Sequence, residues 1–224
     1  MKIVTDTARY LRALKLRLID GARPRYKLRL LDRILPPVRV RAFKETDLDV
    51  CCEIYKLNEP DRFPDGYFDL FREALTSADN LFLVVECDNK PVAFGGISLT
   101  VVENNKVASL SYGMIHPEHQ RKGIGTVLLL ARIATLPESR IPYVLTVSPL
   151  ETSRSFFTQF GFAFANRFRD KRTSKEFELL AARVTEEDWV DSRHLLSNAS
   201  VKFEVEKEVP NIPFEIAGDH YVVV

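Results

Sequence analysis

Hydrophobic and polar positions along the chain change period several times, and the changes mark out elements. Tyr10, Leu11, Leu14 and Leu18 share one helical face, with Arg9, Arg12, Lys15 and Arg17 around it. Leu28, Leu31 and Leu35 form a second stripe that ends at Pro36-Pro37, where proline stops a helix. Alternation over Val38–Phe43 predicts a strand. Helical spacing follows over Glu45–Leu57, with Leu48, Cys52 and Tyr55 inward, and over Asp65–Ser77, with Phe68, Phe71 and Leu75 inward. Three strands come next, Leu81–Cys87, Val92–Val102 and Val107–Ile115, parted by turns at Asp88–Pro91 and Asn104-Asn105. A helix is expected over Gly123–Leu136, with Val127, Leu128, Leu130 and Ala131 on its apolar side. A short strand Tyr143–Val147, a helix Thr152–Phe160 stopped by Gly161, and a hairpin Phe162–Phe168 with Lys175–Leu180 complete the pattern. Beyond Arg183 a helix around Trp189 and a charged strand Lys202–Val209 are expected. Mixed order with a hairpin run in the middle gives an α/β (α+β) sheet flanked by helices.

Composition narrows this little. With 224 residues, 46% of them hydrophobic, the chain can bury one sizeable core and a small appendage. A net charge of +1 gives no field for nucleic acid, and none is expected as a partner. Charge is unevenly spread, however. Residues 1–41 hold twelve Lys/Arg against three Asp, and residues 173–224 hold five against eleven Asp/Glu. Three domains follow: a basic amphipathic helical extension, 1–37; a central domain, 38–182; and an acidic extension, 183–224. The first extension docks on its own domain or meets a membrane surface or an acidic partner; both readings stay open. Cys51, Cys52 and Cys87 are odd in number and lack a C-x-x-C spacing, which suits a reduced, cytoplasmic chain with buried thiols. His116 and His119 are a weak pair on one loop, and no metal site is expected.

The segment that carries chemistry is Gln120-Arg121-Lys122-Gly123-Ile124-Gly125-Thr126, between a strand and an amphipathic helix. Unpaired backbone N–H groups and the helix dipole favour an anion at such a place. Glycine at 123 and 125 lets the backbone approach a diphosphate, and Arg121 and Lys122 add positive charge. A dinucleotide fingerprint needs a third glycine where Leu128 stands, and a Walker loop needs its lysine after the glycine. A plain strand-to-helix turn remains the alternative.

The loop resembles the acetyl-CoA signature of the GNAT acetyltransferase superfamily, Q/R-x-x-G-x-G/A. Element order and Phe160-Gly161-Phe162, where that family commonly has a G-F, agree with it over residues 38–182. The resemblance implies a mostly antiparallel central sheet splayed between its fourth and fifth strands, with acetyl-CoA as co-substrate in the gap. It implies that Gln120, Arg121, Lys122, Gly123, Ile124, Gly125 and Thr126 wrap the pyrophosphate. Gly113, Met114 and Ile115 would run beside the pantetheine arm, with the Ile115 N–H on the thioester carbonyl. An acetyl group would pass to an amine held nearby, on a small molecule or a protein. A homodimer stays open.

Two positions depart from that pattern. The glutamate base often found on the strand before the loop falls at Ser109, which can hold a relaying water but is no base itself. The tyrosine that protonates the leaving thiolate falls at Phe157. A CoA-sensing or partner-binding module without turnover is therefore the alternative function. For the acceptor, Glu59, Asp61 and Asp65 would suit a cation, and Arg167, Arg169, Lys171 and Arg172 a carboxylate or phosphate.

Overall fold

A computed structural model describes residues 37–58, 67–102, 105–137, 143–148, 151–170, 174, 176–198, 201–210 and 221–223. The helical stripes expected within 1–36, and Glu59, Asp61, Asp65, Lys171 and Arg172, lie outside them. The strands are β1 (Val38–Ala42), β2 (Leu81–Cys87), β3 (Lys90–Val102), β4 (Asn105–Ile115), β5 (Tyr143–Ser148), β6 (Ala163–Asp170), β7 (Glu176–Arg183), β8 (Lys202–Glu204) and β9 (Tyr221–Val223). The helices are α1 (Leu48–Leu57), α2 (Tyr67–Thr76), α3 (Ile124–Thr135), α4 (Glu151–Gln159) and α5 (Glu186–Asn198). All nine strands form one sheet in the order β8-β1-β2-β3-β4-β5-β7-β6-β9. Only β1–β8 and β4–β5 are parallel pairs.

Period-two alternation sorts the side chains to two faces. On β2, Leu81, Leu83, Val85 and Cys87 join the core beneath α3, while Phe82 and Val84 join the cluster beneath α1 and α2. That second cluster is aromatic: Tyr55 stacks on Phe71 at 4.6 Å between ring centroids, and Phe71 on Phe94 at 5.4 Å. In α1 the inward residues are Cys51, Ile54 and Tyr55. Leu48 and Cys52, expected inward, are only partly buried. A short 3-10 turn, Glu45–Asp47, precedes the helix, and Tyr55 is inward as expected.

The strand β4 fixes the site. Its pairing with β5 runs from Val107↔Tyr143 to Leu110↔Thr146 and then stops. Beyond it β4 continues to Ile115, while Val147 and Ser148 stay paired with β7. The sheet therefore opens between its fourth and fifth strands. A bulge helps: Phe94 pairs with Met114 but Gly96 with Ser111, so Gly95 faces two residues, and Tyr112 takes a left-handed φ of 44°.

The helix α3 is buried from Val127 to Ala134, all the way round. One face lies on the sheet, and α5 covers the other, which four apolar positions on a helical wheel did not reveal. Thr185 and Asp188 form a reciprocal cap for α5: Thr185 N donates to Asp188 Oδ2 at 2.9 Å and Asp188 N to Thr185 Oγ1 at 3.2 Å. At the far end of α3, Trp189 Nε1 donates to Leu136 O at 2.8 Å, and the Arg193 guanidinium lies 4.2 Å from the Trp189 ring centre. The strand expected over Lys202–Val209 extends only to Glu204, because Leu99 N then takes Pro210 O and the segment turns to another part of the sheet. Trp189→Ala should lower stability by about 3 kcal/mol, through lost area and an orphaned carbonyl. Urea melts would show it; a loss under about 1 kcal/mol would mean that α5 does not support α3.

Candidate functional site

The loop before α3 is built by backbone geometry. His116 N donates to Val92 O on β3, so by alternation the N–H of Ile115 points to the open side of β4. A turn of 3-10 helix, Pro117–His119, follows, with His116 Nδ1 accepting from Glu118 N at 3.3 Å. Arg121 and Gly123 then take positive φ, 63° and 87°, which swings successive amides toward the helix mouth. Gly123 is the N-cap and uses no side chain. Its carbonyl receives Thr126 N at 3.0 Å and Val127 N at 3.1 Å. Gln120 N already donates to Pro117 O at 3.2 Å. Within this segment, Arg121 to Gly125 donate no close backbone hydrogen bond of the kind that Gln120, Thr126 and Val127 make. Successive unpaired amides at a helix N-terminus make an anion cradle. Arg121 and Lys122 are exposed beside it, and no carboxylate among the described residues pairs with either. Burial, then the Lys122 and His116 charges, hold the His119 imidazole below its ordinary pKa, so the loop gains no further cation there at neutral pH.

Gly125 is closely surrounded. A Cβ there would stand 3.0 Å from Ile115 Cδ1 and 3.5 Å from Phe156 Cε2. The loop thus joins the end of β4 to α4 across the mouth of the opening. Met114, by contrast, turns its side chain into the aromatic cluster, leaving only its backbone at the opening. Ser109 is half-buried in the closed part of the sheet, opposite Ser98 and Leu145. Its neighbours Ala108 and Leu110 face α3, so its hydroxyl faces α1 and α2. Phe157 packs on Phe162 at 5.1 Å. Phe156 is the ring nearer the loop.

Asn58 is a site residue that the sequence did not reveal. It is buried at the end of α1, with Nδ2 donating to Ile54 O at 2.8 Å and to Ile115 O at 3.1 Å. Gln120 Nε2 donates to Asn58 Oδ1 and to Ile115 O, both at 3.2 Å. The first helix, the end of β4 and the anion loop are thereby tied at one carbonyl. A lone asparagine after a helical stripe reads as a cap, and its sequence distance from Gln120 hides the link.

The basic hairpin residues are less available than their charge suggests. Arg167 Nη2 pairs with Glu178 at 3.0 Å and Arg169 Nη2 with Glu176 at 2.7 Å across the two strands. Among the described residues there is no group of His, Cys, Asp and Glu able to hold a metal, and no helix long and apolar enough to cross a membrane.

A mixed, mostly antiparallel sheet that opens between β4 and β5, with an amide-lined helix mouth at the opening, defines the GNAT fold. A family model for the acetyltransferase (GNAT) family matches residues 48–162, just over half of the chain. The chain belongs to that family. No curated protein sequence matches it. Solved structures do, at low identity. A ribosomal-protein alanine N-acetyltransferase of Escherichia coli superposes with TM-score 0.52 and 18% identity, over 66% of this chain and 94% of that one. NAA60 of Arabidopsis thaliana in complex with acetyl-CoA gives 0.52 and 10%, over 66% and 98%. A GNAT-family protein from Desulfovibrio desulfuricans gives 0.53 and 13%, over 66% and 99%. At these identities the likeness is one of fold.

Proposed function

We propose that this protein is an acyl-CoA-dependent N-acyltransferase that moves an acetyl group from acetyl-CoA to a primary amine. The observation that carries the reading is the run of amides from Arg121 to Gly125, beside two exposed cations that pair with no carboxylate among the described residues, at the mouth of an opened sheet. That arrangement suits a diphosphate with an extended arm, and the arm would lie along Gly113–Ile115. The Ile115 N–H, turned to the open side, would polarise the thioester carbonyl. Positioning of a neutral amine near the carbonyl supplies much of the remaining rate. Ser109 would hold a water that carries the amine's proton away. The buried and half-buried cysteines suit a reducing, cytoplasmic setting.

A second reading, CoA binding without turnover, is favoured by one specific observation: Phe157 is a packed ring with no proton to give. One experiment separates them. Thermal shift and titration calorimetry with acetyl-CoA should show binding. Free-thiol release should then appear with at least one amine from a panel of spermidine, glucosamine and an alanine-starting peptide. Binding with no thiol release across a broad panel would favour the second reading, and no binding would sink both.

A further inference from the structure

Arg132 is a buried cation with no carboxylate partner among the described residues. It is 2% exposed, on the sheet-facing side of α3. Its Nε–H donates to Leu128 O at 3.3 Å. Burial pushes its pKa down to about 10, with desolvation as the cause. No carboxylate among the described residues pairs with it. Arg41, the other buried arginine, shows the contrast, held between Asp47 and Glu86 at 2.6 and 2.8 Å. An uncompensated buried cation is expensive, and proteins keep such charges mostly where they act on something.

Its surroundings point to what. A Cβ on Gly95 would stand 3.1 Å from Arg132 Nη1, and one on Gly113 would stand 3.2 Å from Nη2. The guanidinium occupies the space two side chains would need, under the bulge that pairs Gly95 with Tyr112 and Gly113. Gly113 is itself exposed and lies in the run of β4 that has parted from β5. Only a glycine backbone therefore separates the charge from the opening. A cation in that low-dielectric setting, with no carboxylate partner among the described residues, projects its field into the gap.

Resting on the acyl-transfer reading above, we propose that Arg132 stabilises, through the Gly113 backbone, the negative charge that develops on the thioester during transfer. The amine nitrogen bonds to the carbonyl carbon, and the C=O pair moves onto oxygen. The pair then returns, the C–S bond breaks, and its electrons leave on sulfur as thiolate. The ammonium proton passes to solvent. Arg132 exchanges no proton in either step. It lowers the energy of the oxyanion and the thiolate where Phe157 cannot protonate the latter.

CoA itself is the probe. Thiolate ultraviolet absorbance of CoA bound to wild-type protein should show about tenfold more thiolate at neutral pH than free CoA. Arg132→Met should return bound CoA to the behaviour of free CoA, and Arg132→Lys should keep most of the effect. With hydroxylamine as a generic nucleophile, Arg132→Met should lower kcat about 10- to 100-fold, with acetyl-CoA Kd within about threefold. A purely structural arginine would move melting temperature and Kd instead. If wild-type-bound CoA ionises like free CoA, the inference is overturned, whether or not the methionine variant folds. Failure of CoA to bind at all overturns the proposed function and this inference with it.

Discussion

Gly125→Val should weaken acetyl-CoA binding by about 100-fold or more in a chain that stays folded. The first valine carbon would enter a space 3.0 Å from Ile115 Cδ1, and its two methyl groups would meet Phe156 or fill the anion cradle. A β-branched residue also resists the approach of a phosphate to the neighbouring amides. Hydrogen bonds to a charged group are each worth about 1.5–3 kcal/mol, so losing one or two accounts for the expected change. Overpacking adds a stability cost of about 1–3 kcal/mol, which a melting curve measures separately. Gly125→Ala, with a single methyl against a flexible isoleucine end, should fall between. Titration calorimetry decides it: a folded valine variant with wild-type affinity would show that the loop is not the diphosphate site.

Arg41→Met should cost about 4 kcal/mol at neutral pH, because it removes the cation that both buried carboxylates share and leaves Glu86 only the longer Arg39 pair, at 3.6 Å. Arg41 on β1 is 8% exposed and bonds Asp47 through both terminal nitrogens, at 2.6 and 2.8 Å, and Glu86 through Nε at 2.8 Å. For Asp47, burial works to raise the pKa, but the Arg41 hydrogen bonds and the Lys44 N–H outweigh it and hold the carboxyl below its ordinary value. A depressed carboxylate contributes stability above its unfolded pKa, about 4. That contribution is lost as pH falls through the folded value. Wild type should therefore lose stability below about pH 4. The deficit of Arg41→Met should shrink over the same range, since a protonated Asp47 no longer needs the arginine. Urea melts at pH 7 and near pH 3 check both statements. An equal deficit at the two pH values would mean that lost packing, and not the ion pairs, sets the cost.

What the sequence determined is what local periods and local backbone chemistry can carry. The alternation at Val38–Ala42, the run of β-formers at Leu81–Cys87, the helical stripes, and Gly161 as a left-handed stop (φ 83°) are short-range consequences of side-chain spacing and steric freedom. The anion loop was equally legible, because a strand, two glycines and a helix start are contiguous. Whether Arg121 to Gly125 would stay clear of close backbone hydrogen bonds was not, since that depends on where Gln120 and Thr126 spend theirs.

Tertiary structure alone decided the rest, because its contacts join residues far apart in the chain. Asn58 meets Gln120 only when α1 and β4 share a sheet face. The opening exists because β5 leaves β4 for β7, a pairing choice that no period in β4 announces. Arg132 reads as one polar interruption in an apolar helix, and only the fold removes its water while leaving it two glycines and, among the described residues, no carboxylate. Burial and charge compensation are properties of the surroundings, and a one-dimensional pattern does not contain them.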